Sequence, residues 1–300
     1  MTRLKRIGIL GHPKRPQTAP VGERIAASLR AHQIETWHYP VWTAPDVIES
    51  VQGSDLVVAI GGDGAMFRAA RVCAPYDVPV LGLNMGRLGF LTEISNPDNW
   101  ENYLAPLLHG EYWIERRMMI DAHINQSSQE PISDIALNDV VISGNGPGSM
   151  VQLETYIDGN WATTYHCDAL IISTPTGSSA YALAAGGPIL PPDLSNILIL
   201  PVAPHLTMDR PIVLSEGSRV AVRAANDNRN DLIIAVDGKQ LAYPDKNAII
   251  YVTASRFSSR FVRMRERNYF YRSLLDRLEP RVNRTAPEHM KTLKELEDEI

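Results

Sequence analysis

An apolar run, Leu56 to Ile60, ends in Gly61-Gly62-Asp63-Gly64 and passes at once into a segment of helical periodicity that reaches Val72. Buried strand, glycine turn and helix in that order form the unit from which parallel α/β sheets are built. The turn lies at the carboxyl end of the strand, where such sheets hold nucleotides. Glycines lack a Cβ, so the backbone of the turn is free to take positive φ and to approach a phosphate or ribose closely. Asp63 then points out of the turn as a carboxylate able to accept a proton from a sugar hydroxyl. The same position suits a helix N-cap, a role aspartate favours, and the turn alone leaves these two readings level.

The first hundred residues alternate between strand and helix periods. Strands are expected at Arg6–Leu10, Thr36–Tyr39, Asp55–Ile60 and Val78–Leu83, and helices at Val21–His32, Pro45–Val51, Ala65–Cys73 and Asp98–Leu108. This is the pattern of a doubly wound sheet. A second glycine-rich turn, Asn84-Met85-Gly86-Arg87-Leu88-Gly89-Phe90, is expected beside the first. From Glu111 to about Thr253 the pattern changes to short alternating strands with turn residues, including IDGN at 157–160 and AVDGKQ at 235–240. Asp-Gly between such runs is a strong hairpin signal. The expected fold is therefore α/β plus β: a Rossmann-like doubly wound domain over residues 1–110, a mainly antiparallel β domain over 111–255, and a tail over 256–300 that packs back on the body. In the tail, Arg256, Arg260, Arg263, Arg265, Arg267 and Arg272 interleave with Phe257, Phe261, Tyr269, Phe270 and Tyr271. Nucleic-acid binders use this composition, but a strand and helix with a solvated cationic face explain it better. The terminal TLKELEDEI reads either as a short charged helix or as a fraying end.

Composition narrows the function classes. A chain of 300 residues, 44% hydrophobic and 21% charged, has enough apolar content for real cores. A net charge of −5 argues against generic binding to nucleic acid or to anionic membranes, which need a basic surplus. No apolar stretch reaches the roughly 20 residues of a membrane span, and MTRLKRIGILGHP lacks a signal core; a cytoplasmic location is expected. Cys73 and Cys167 lie far apart, and His12, His166 and His205 show no metal spacing. Neither a disulfide nor a protein-ligated zinc is expected.

Further along stand the pair Asn138-Asp139, the segment DALIISTPTGSSAYALAAGGPIL at 168–190, and Val236-Asp237-Gly238. With the two glycine-rich turns, in this order, they resemble the bacterial NAD kinases over roughly residues 5 to 255. Diacylglycerol and sphingoid-lipid kinases and phosphofructokinases carry similar glycine turns, so the specific part of the resemblance is STPTGSSAYALAAGGPI. Two positions depart from the pattern. Ala65 stands where the family often has Thr, which removes a hydroxyl at the turn, and Asp139 stands where many members have Glu, which draws the carboxylate back by one methylene.

The resemblance implies transfer of the terminal phosphoryl group of ATP to the 2′-hydroxyl of the adenosine ribose of NAD, with Asp63 as catalytic base. It also implies a dinucleotide site made of Asp63, Gly64, Phe90, Asn138, Asp139, His166, Asp168, Thr176, Ser179, Ala180, Tyr181, Ala182, Leu183, Ala184 and Lys239. Asn138 and Asp139 suit ribose and base, and Asp168, with His166 two residues before it, suits the nicotinamide end. Hydroxyls of Ser173, Thr174, Thr176, Ser178 and Ser179 are available in the next motif. A helix starting near Ala180 would turn its N-terminus to the dinucleotide's anionic groups. Lys14 or Arg87 is a candidate for the ATP phosphates. Magnesium, or another divalent cation, is expected to come with ATP through phosphates and water, and a homotetramer is expected, with no nucleic-acid or membrane partner. The rival functions are a lipid kinase of the same superfamily, a non-catalytic dinucleotide sensor, and RNA binding by the tail.

Overall fold

The computed structural model describes residues 4–42, 46–86, 89–127, 130–146 and 148–278. The first part alternates as its periodicity demands: β1 (Arg6–Leu10), α1 (Thr18–Ala31), β2 (Glu35–Tyr39), α2 (Val47–Val51), β3 (Leu56–Gly61), α3 (Asp63–Cys73), β4 (Val80–Asn84) and α4 (Trp100–His109). The strands pair in parallel in the order β2-β1-β3-β4. Side chains alternate along a strand, so β3 feeds two cores. Leu56, Val58 and Ile60 join Ile25 and Leu29 of α1 and Trp100 and Leu104 of α4. Val57 and Ala59 join Val47 of α2 and Met66, Ala69 and Ala70 of α3. Helices on both faces make the sheet doubly wound. Its strand order reverses between β1 and β3, which sets the switch point at their carboxyl ends, beside Gly61–Gly64. α1 begins three residues before the expected Val21, because Pro20 falls in its first turn, where a missing N–H breaks no helical hydrogen bond.

The second part is a two-layer antiparallel structure. Its strands are β5 (Trp113–Asn125), β6 (Ile132–Ala136), β7 (Asp139–Gly144), β8 (Val151–Ile157), β9 (Asn160–Cys167), β10 (Ala169–Ser173), β11 (Asn196–Val202), β12 (Ile212–Ser215), β13 (Val220–Ala224), β14 (Leu232–Val236), β15 (Lys239–Ala242) and β16 (Ile249–Arg263), with one short helix, α5 (Tyr181–Ala184). One layer runs β12-β11-β10-β7-β14-β15. The other runs β9-β8-β13-β16, with β5 and β6 beyond β16, and is continuous with the parallel sheet because β16 also pairs with β4 at Phe261 and Val80. Ile120, Val140, Ile142, Leu153, Tyr165, Ile172, Ile199, Val222, Ile234 and Ile250 form the core between the layers. Both Asp-Gly hairpins appear as expected: Asp158 and Gly159 have φ of 51° and 82°, Asp237 and Gly238 of 48° and 71°, the left-handed pair a two-residue turn requires. Cys73 and Cys167 are free and buried, and burial pushes both thiols up, Cys167 to about 12. No helix among the described residues is long and apolar enough to cross a membrane.

The arginines placed in a tail with a solvated face are distributed differently. Residues 256–263 continue β16, a central strand, and the first compact unit extends to Met264. Arg256 lies over the Phe257 ring and Arg260 pairs with Asp77. Arg263 is completely buried: Nε and Nη2 contact Glu115 Oε2 (2.8 Å), and Nη1 contacts Glu93 Oε2 (3.3 Å) and the Leu91 carbonyl (2.8 Å). The alternating apolar positions of β16 drew this cation inside because two carboxylates and a carbonyl met it there. In the second unit, α6 (Tyr269–Leu278) follows, with Arg265 over the Tyr269 ring. The side chain of Arg272 and the terminal TLKELEDEI lie outside the described residues.

Removing a buried partner leaves the opposite charges uncompensated. Arg263→Ala is expected to destabilise the fold by about 3–5 kcal/mol, read from denaturant unfolding midpoints. A change below about 1 kcal/mol, the scale of an exposed pair, would contradict this account of the network.

Candidate active site

β3 ends at Gly61, and Asp63 is the first helical residue of α3. Gly62 occupies the N-cap with φ −110°, and no side chain caps the helix. The capping alternative for Asp63 therefore fails. Its carboxylate crosses instead to the second glycine-rich turn, where Oδ2 accepts from the Phe90 N–H (2.9 Å) and Oδ1 from the Leu91 N–H (3.0 Å). A carboxylate oxygen has two acceptor directions, so each retains one for a hydroxyl. Gly89 permits this seat, because a Cβ there would lie 1.9 Å from Oδ1. Of the turn's glycines only Gly61 has positive φ, and a Cβ on it would lie 2.6 Å from that of Ala65. Above Gly62 and Gly64 there is open space that a ligand can enter. Arg87 and Leu88 lie outside the described residues.

The carboxyl end of β1 borders this turn. The His12 ring stands edge-on to Trp42 at 4.6 Å, and its Nδ1 accepts the Lys14 N–H at 3.1 Å. Burial first, then the charges of Arg15, Arg68 and Lys14, hold the His12 pKa below its ordinary value. Several cations thus face the region of the glycine turn.

The second cluster forms where β6 passes into β7. Asp237 accepts from the N–H groups of Leu137 (2.9 Å), Asn138 (2.7 Å) and Asp139 (3.3 Å), and its own N–H donates to the Asp139 carbonyl (3.0 Å). From the other side, the Thr174 N–H (2.8 Å) and Ser173 hydroxyl (3.0 Å) donate to the Asn138 carbonyl. The Thr174 hydroxyl donates to the Leu137 carbonyl, and Ser178 donates to the Pro175 carbonyl. Gly177 fits because a Cβ there would lie 2.3 Å from the Asn138 carbonyl oxygen. Ser173, Thr174 and Ser178, expected to offer hydroxyls to a ligand, are buried and engaged in holding the bend. Thr176 accepts weakly from Arg117 (3.4 Å), and Ser179 donates to the Thr176 carbonyl (3.1 Å). The expected helix from Ala180 is a single turn, Tyr181–Ala184. That is too short to carry an N-terminal dipole site. In it Ala182 is buried, Leu183 is half-buried, and Ala180, Tyr181 and Ala184 are exposed.

The clamped backbone also fixes where the side chains of Asn138 and Asp139 begin. Asn138 and Asp139 are only 8% and 6% exposed, yet their side chains take no hydrogen bond from the described residues. Buried polar groups nearly always have a partner, in the chain or from outside it. Burial and the charge of Asp237 raise Asp139 to about 7. Burial raises Asp237 too, but its three N–H donors and the Arg71 charge pull the other way. Of the two carboxyls, Asp139 is the one that holds a proton near neutrality.

Arg71 joins the clusters. Two turns beyond Asp63 on α3, it pairs with Asp134 of β6 and feels the charge of Asp237. The sequence reading named Gly89 only as part of its turn and passed over Arg71, for which an arginine within the small, apolar face of α3 was the available signal. Lys239, exposed at the start of β15, adjoins the Asp237 clamp. His166 and Asp168 are elsewhere. Register sets Ser173 opposite Asp139 but Ala169 opposite Ser143, so Asp168 is separated from the bend by the length of β10, about 16 Å. Asp168 is exposed, and His166 is half-buried on β9 with its carbonyl accepting the His205 N–H (2.7 Å). One chain does not bring them to Asn138.

Residues 16–112 match the ATP-NAD kinase N-terminal domain and residues 137–264 the ATP-NAD kinase C-terminal domain. The NAD kinase of Erwinia tasmaniensis is 38% identical over 274 residues, covering 88% of this chain and 93% of its own. The chain belongs to the NAD kinase family. Yeast NADH kinase complexed with NADH has a similar fold, with TM-score 0.82 and 22% identity over 97% of this chain and 91% of that one. An NAD kinase from Archaeoglobus fulgidus in complex with ATP gives TM-score 0.69 and 25% identity over 89% and 96%. Asp63 and Phe90 fall in the N-terminal NAD kinase match, and Asn138, Asp139 and Thr176 in the C-terminal one.

The raised Asp139 pKa has a definite sign in stability. Between its ordinary 3.8 and about 7 the folded chain holds a proton that the unfolded chain has lost. Stability therefore falls as pH rises through that window and levels off above it. Asp139→Asn is expected to flatten this fall in denaturation measured across the window; an unchanged slope would place the proton on another group.

Proposed function

We propose that the chain transfers the terminal phosphoryl group of ATP to the 2′-hydroxyl of the adenosine ribose of NAD, giving NADP. The observation that carries this is the pairing of a carboxylate fixed by two backbone N–H groups at a switch point with an orphaned Asn-Asp pair joined to it through α3. Phosphoryl transfer depends on positioning and charge neutralisation more than on covalent help. Asp63 orients the 2′-hydroxyl and takes its proton as the new O–P bond forms and the bond to ADP breaks. The proton rests on Asp63, and ADP leaves with the electron pair of the broken bond. Phe90 and Gly64 border the hydroxyl. Asn138 and Asp139 bind ribose and base, beside Thr176, Ser179, the Ala180–Ala184 turn and Lys239. Lys14, with the other cations around His12, receives the donor's phosphates. No group of three His, Cys, Asp or Glu side chains among the described residues is placed to hold a metal ion. A divalent cation, magnesium first, fits as a companion of the donor's phosphates, whose charge it neutralises.

His166 and Asp168, distant from Asn138 in one chain, serve the nicotinamide end of a site on a neighbouring copy. This supports a homo-oligomer, which we take to be a tetramer in the cytoplasm. The Ser/Thr bend disfavours the lipid-kinase rival, which would need an apolar pocket at that place. The retention and seating of Asp63 disfavour a sensor.

Asp63→Asn is expected to keep NAD binding while lowering kcat by about 10²–10⁴ in an assay of NADP formation. Turnover within a few-fold of the parent would remove Asp63 as base. For the shared site, Asp63→Asn and Asp168→Ala chains, each impaired, are expected to form an active mixture after co-refolding, because some sites then draw both native residues. A mixture no more active than the sum of its parts would confine the site to one chain.

A further inference from the structure

The outer face of the layer β8-β13-β16 carries a concavity of about 600 Å³ that the proposed reaction does not use. Its floor is Ala221. Register sets Ala221 opposite Tyr156 on one side and opposite Tyr251 on the other. Neighbouring strands are about 4.8 Å apart, so the tyrosine backbones stand about 9.6 Å apart with a methyl group between them. The tyrosines line this slot from either side, and an arginine stands over each ring, Arg219 on Tyr251 and Arg223 on Tyr156 (6.0 Å). Along β13 the positions on the same face are Arg219 and Arg223. Val220 and Val222 point into the core.

The two arginines differ. Arg223 is neutralised by Glu154 (2.7 Å), which also accepts from the Tyr156 hydroxyl (2.8 Å) and so fixes that ring. Arg219 lies 4.2 Å over the Tyr251 ring and has no carboxylate in ion-pair range of its guanidinium among the described residues. Beside it, Asp158 in the left-handed hairpin turn accepts the Arg219 backbone N–H through Oδ1 (2.8 Å) and keeps Oδ2.

We propose that this slot binds a nucleotide. The base lies over Ala221 between Tyr156 and Tyr251, a ribose hydroxyl donates to Asp158, and the phosphate meets the Arg219 guanidinium. Sandwiching by tyrosines reads the presence of a base more than its identity. A single alanine gap takes one base, where a nucleic-acid strand would need a track of several.

The test uses the full chain with ¹³C-labelled tyrosine rings, the signals of Tyr156 and Tyr251 being assigned through Tyr156→Phe and Tyr251→Phe. Addition of ADP is expected to shift both signals to saturation below about 1 mM. Adenosine and pyrophosphate, each lacking half of the ligand, and the variant Arg219→Ala are each expected to weaken the effect about tenfold. Ala221→Phe fills the slot and should abolish the shifts. NADP formation should stay within twofold in both variants, since neither residue touches the reaction. Absent shifts in the parent chain, or equal ADP affinity in parent and Arg219→Ala, would overturn the proposal. A parent chain that shifts but makes no NADP would overturn the kinase reading and leave the slot standing.

Discussion

The buried guanidinium of Arg263 governs the geometry of the molecule. It sits at the end of β16, the strand that joins the parallel sheet to the antiparallel layer, and it meets Glu115 of β5, Glu93 and the Leu91 carbonyl. The Leu91 peptide accepts from Arg263 through its residue's carbonyl, while the Leu91 N–H donates to Asp63. A cation at the seam is thus one residue away from the proposed base. The network continues from Glu115 to Arg117 and on to Thr176 at the Ser/Thr bend. Buried ion pairs seldom add much net stability over well-packed apolar groups. Their value here is directional: charged groups with fixed hydrogen-bond directions hold the two glycine-rich turns and the bend in one arrangement.

Three aspartates show how one side chain acquires different roles from its surroundings. Asp63, half-buried, has both oxygens seated on backbone N–H groups at an open turn. Asp237 is a clamp, its carboxylate taken up by three N–H groups of the chain it organises. Asp139, nearly buried and unbonded within the chain, is pushed toward protonation by burial and by Asp237. The carboxylate that holds the bend also tunes the one proposed to meet the ligand.

Much of this was legible in the residues. The parallel order and the two covered faces follow from an apolar β3 flanked by amphipathic segments, since a strand buried on both faces needs helices on each. Both hairpins were readable because Asp-Gly selects one turn geometry. Three hydroxyls of the Ser/Thr segment, those of Ser173, Thr174 and Ser178, were expected to face a ligand and instead hold their own bend. Whether a serine serves a ligand or its own loop depends on which carbonyls the tertiary fold brings near, and those of Leu137 and Asn138 come from 35 or more residues away. The arginines after residue 255 were misjudged for a related reason, because their partners Glu115, Glu93 and Asp77 are far off in sequence.

By itself the sequence determined the local conformations: strand, turn and helix around Asp63, the hairpins, and the family to which the motifs belong. These depend on backbone sterics and on side-chain periodicity within a few residues. Only the tertiary structure decided that Asp63 is seated by Phe90 and Leu91 and does not cap its helix, that Asp237 clamps Asn138 and Asp139, that Arg263 is buried, and that Asp168 lies a strand's length from Asn138. Each of these is a pairing of charges or hydrogen-bonding groups distant along the chain. Such pairings depend on which strands lie side by side and in what register.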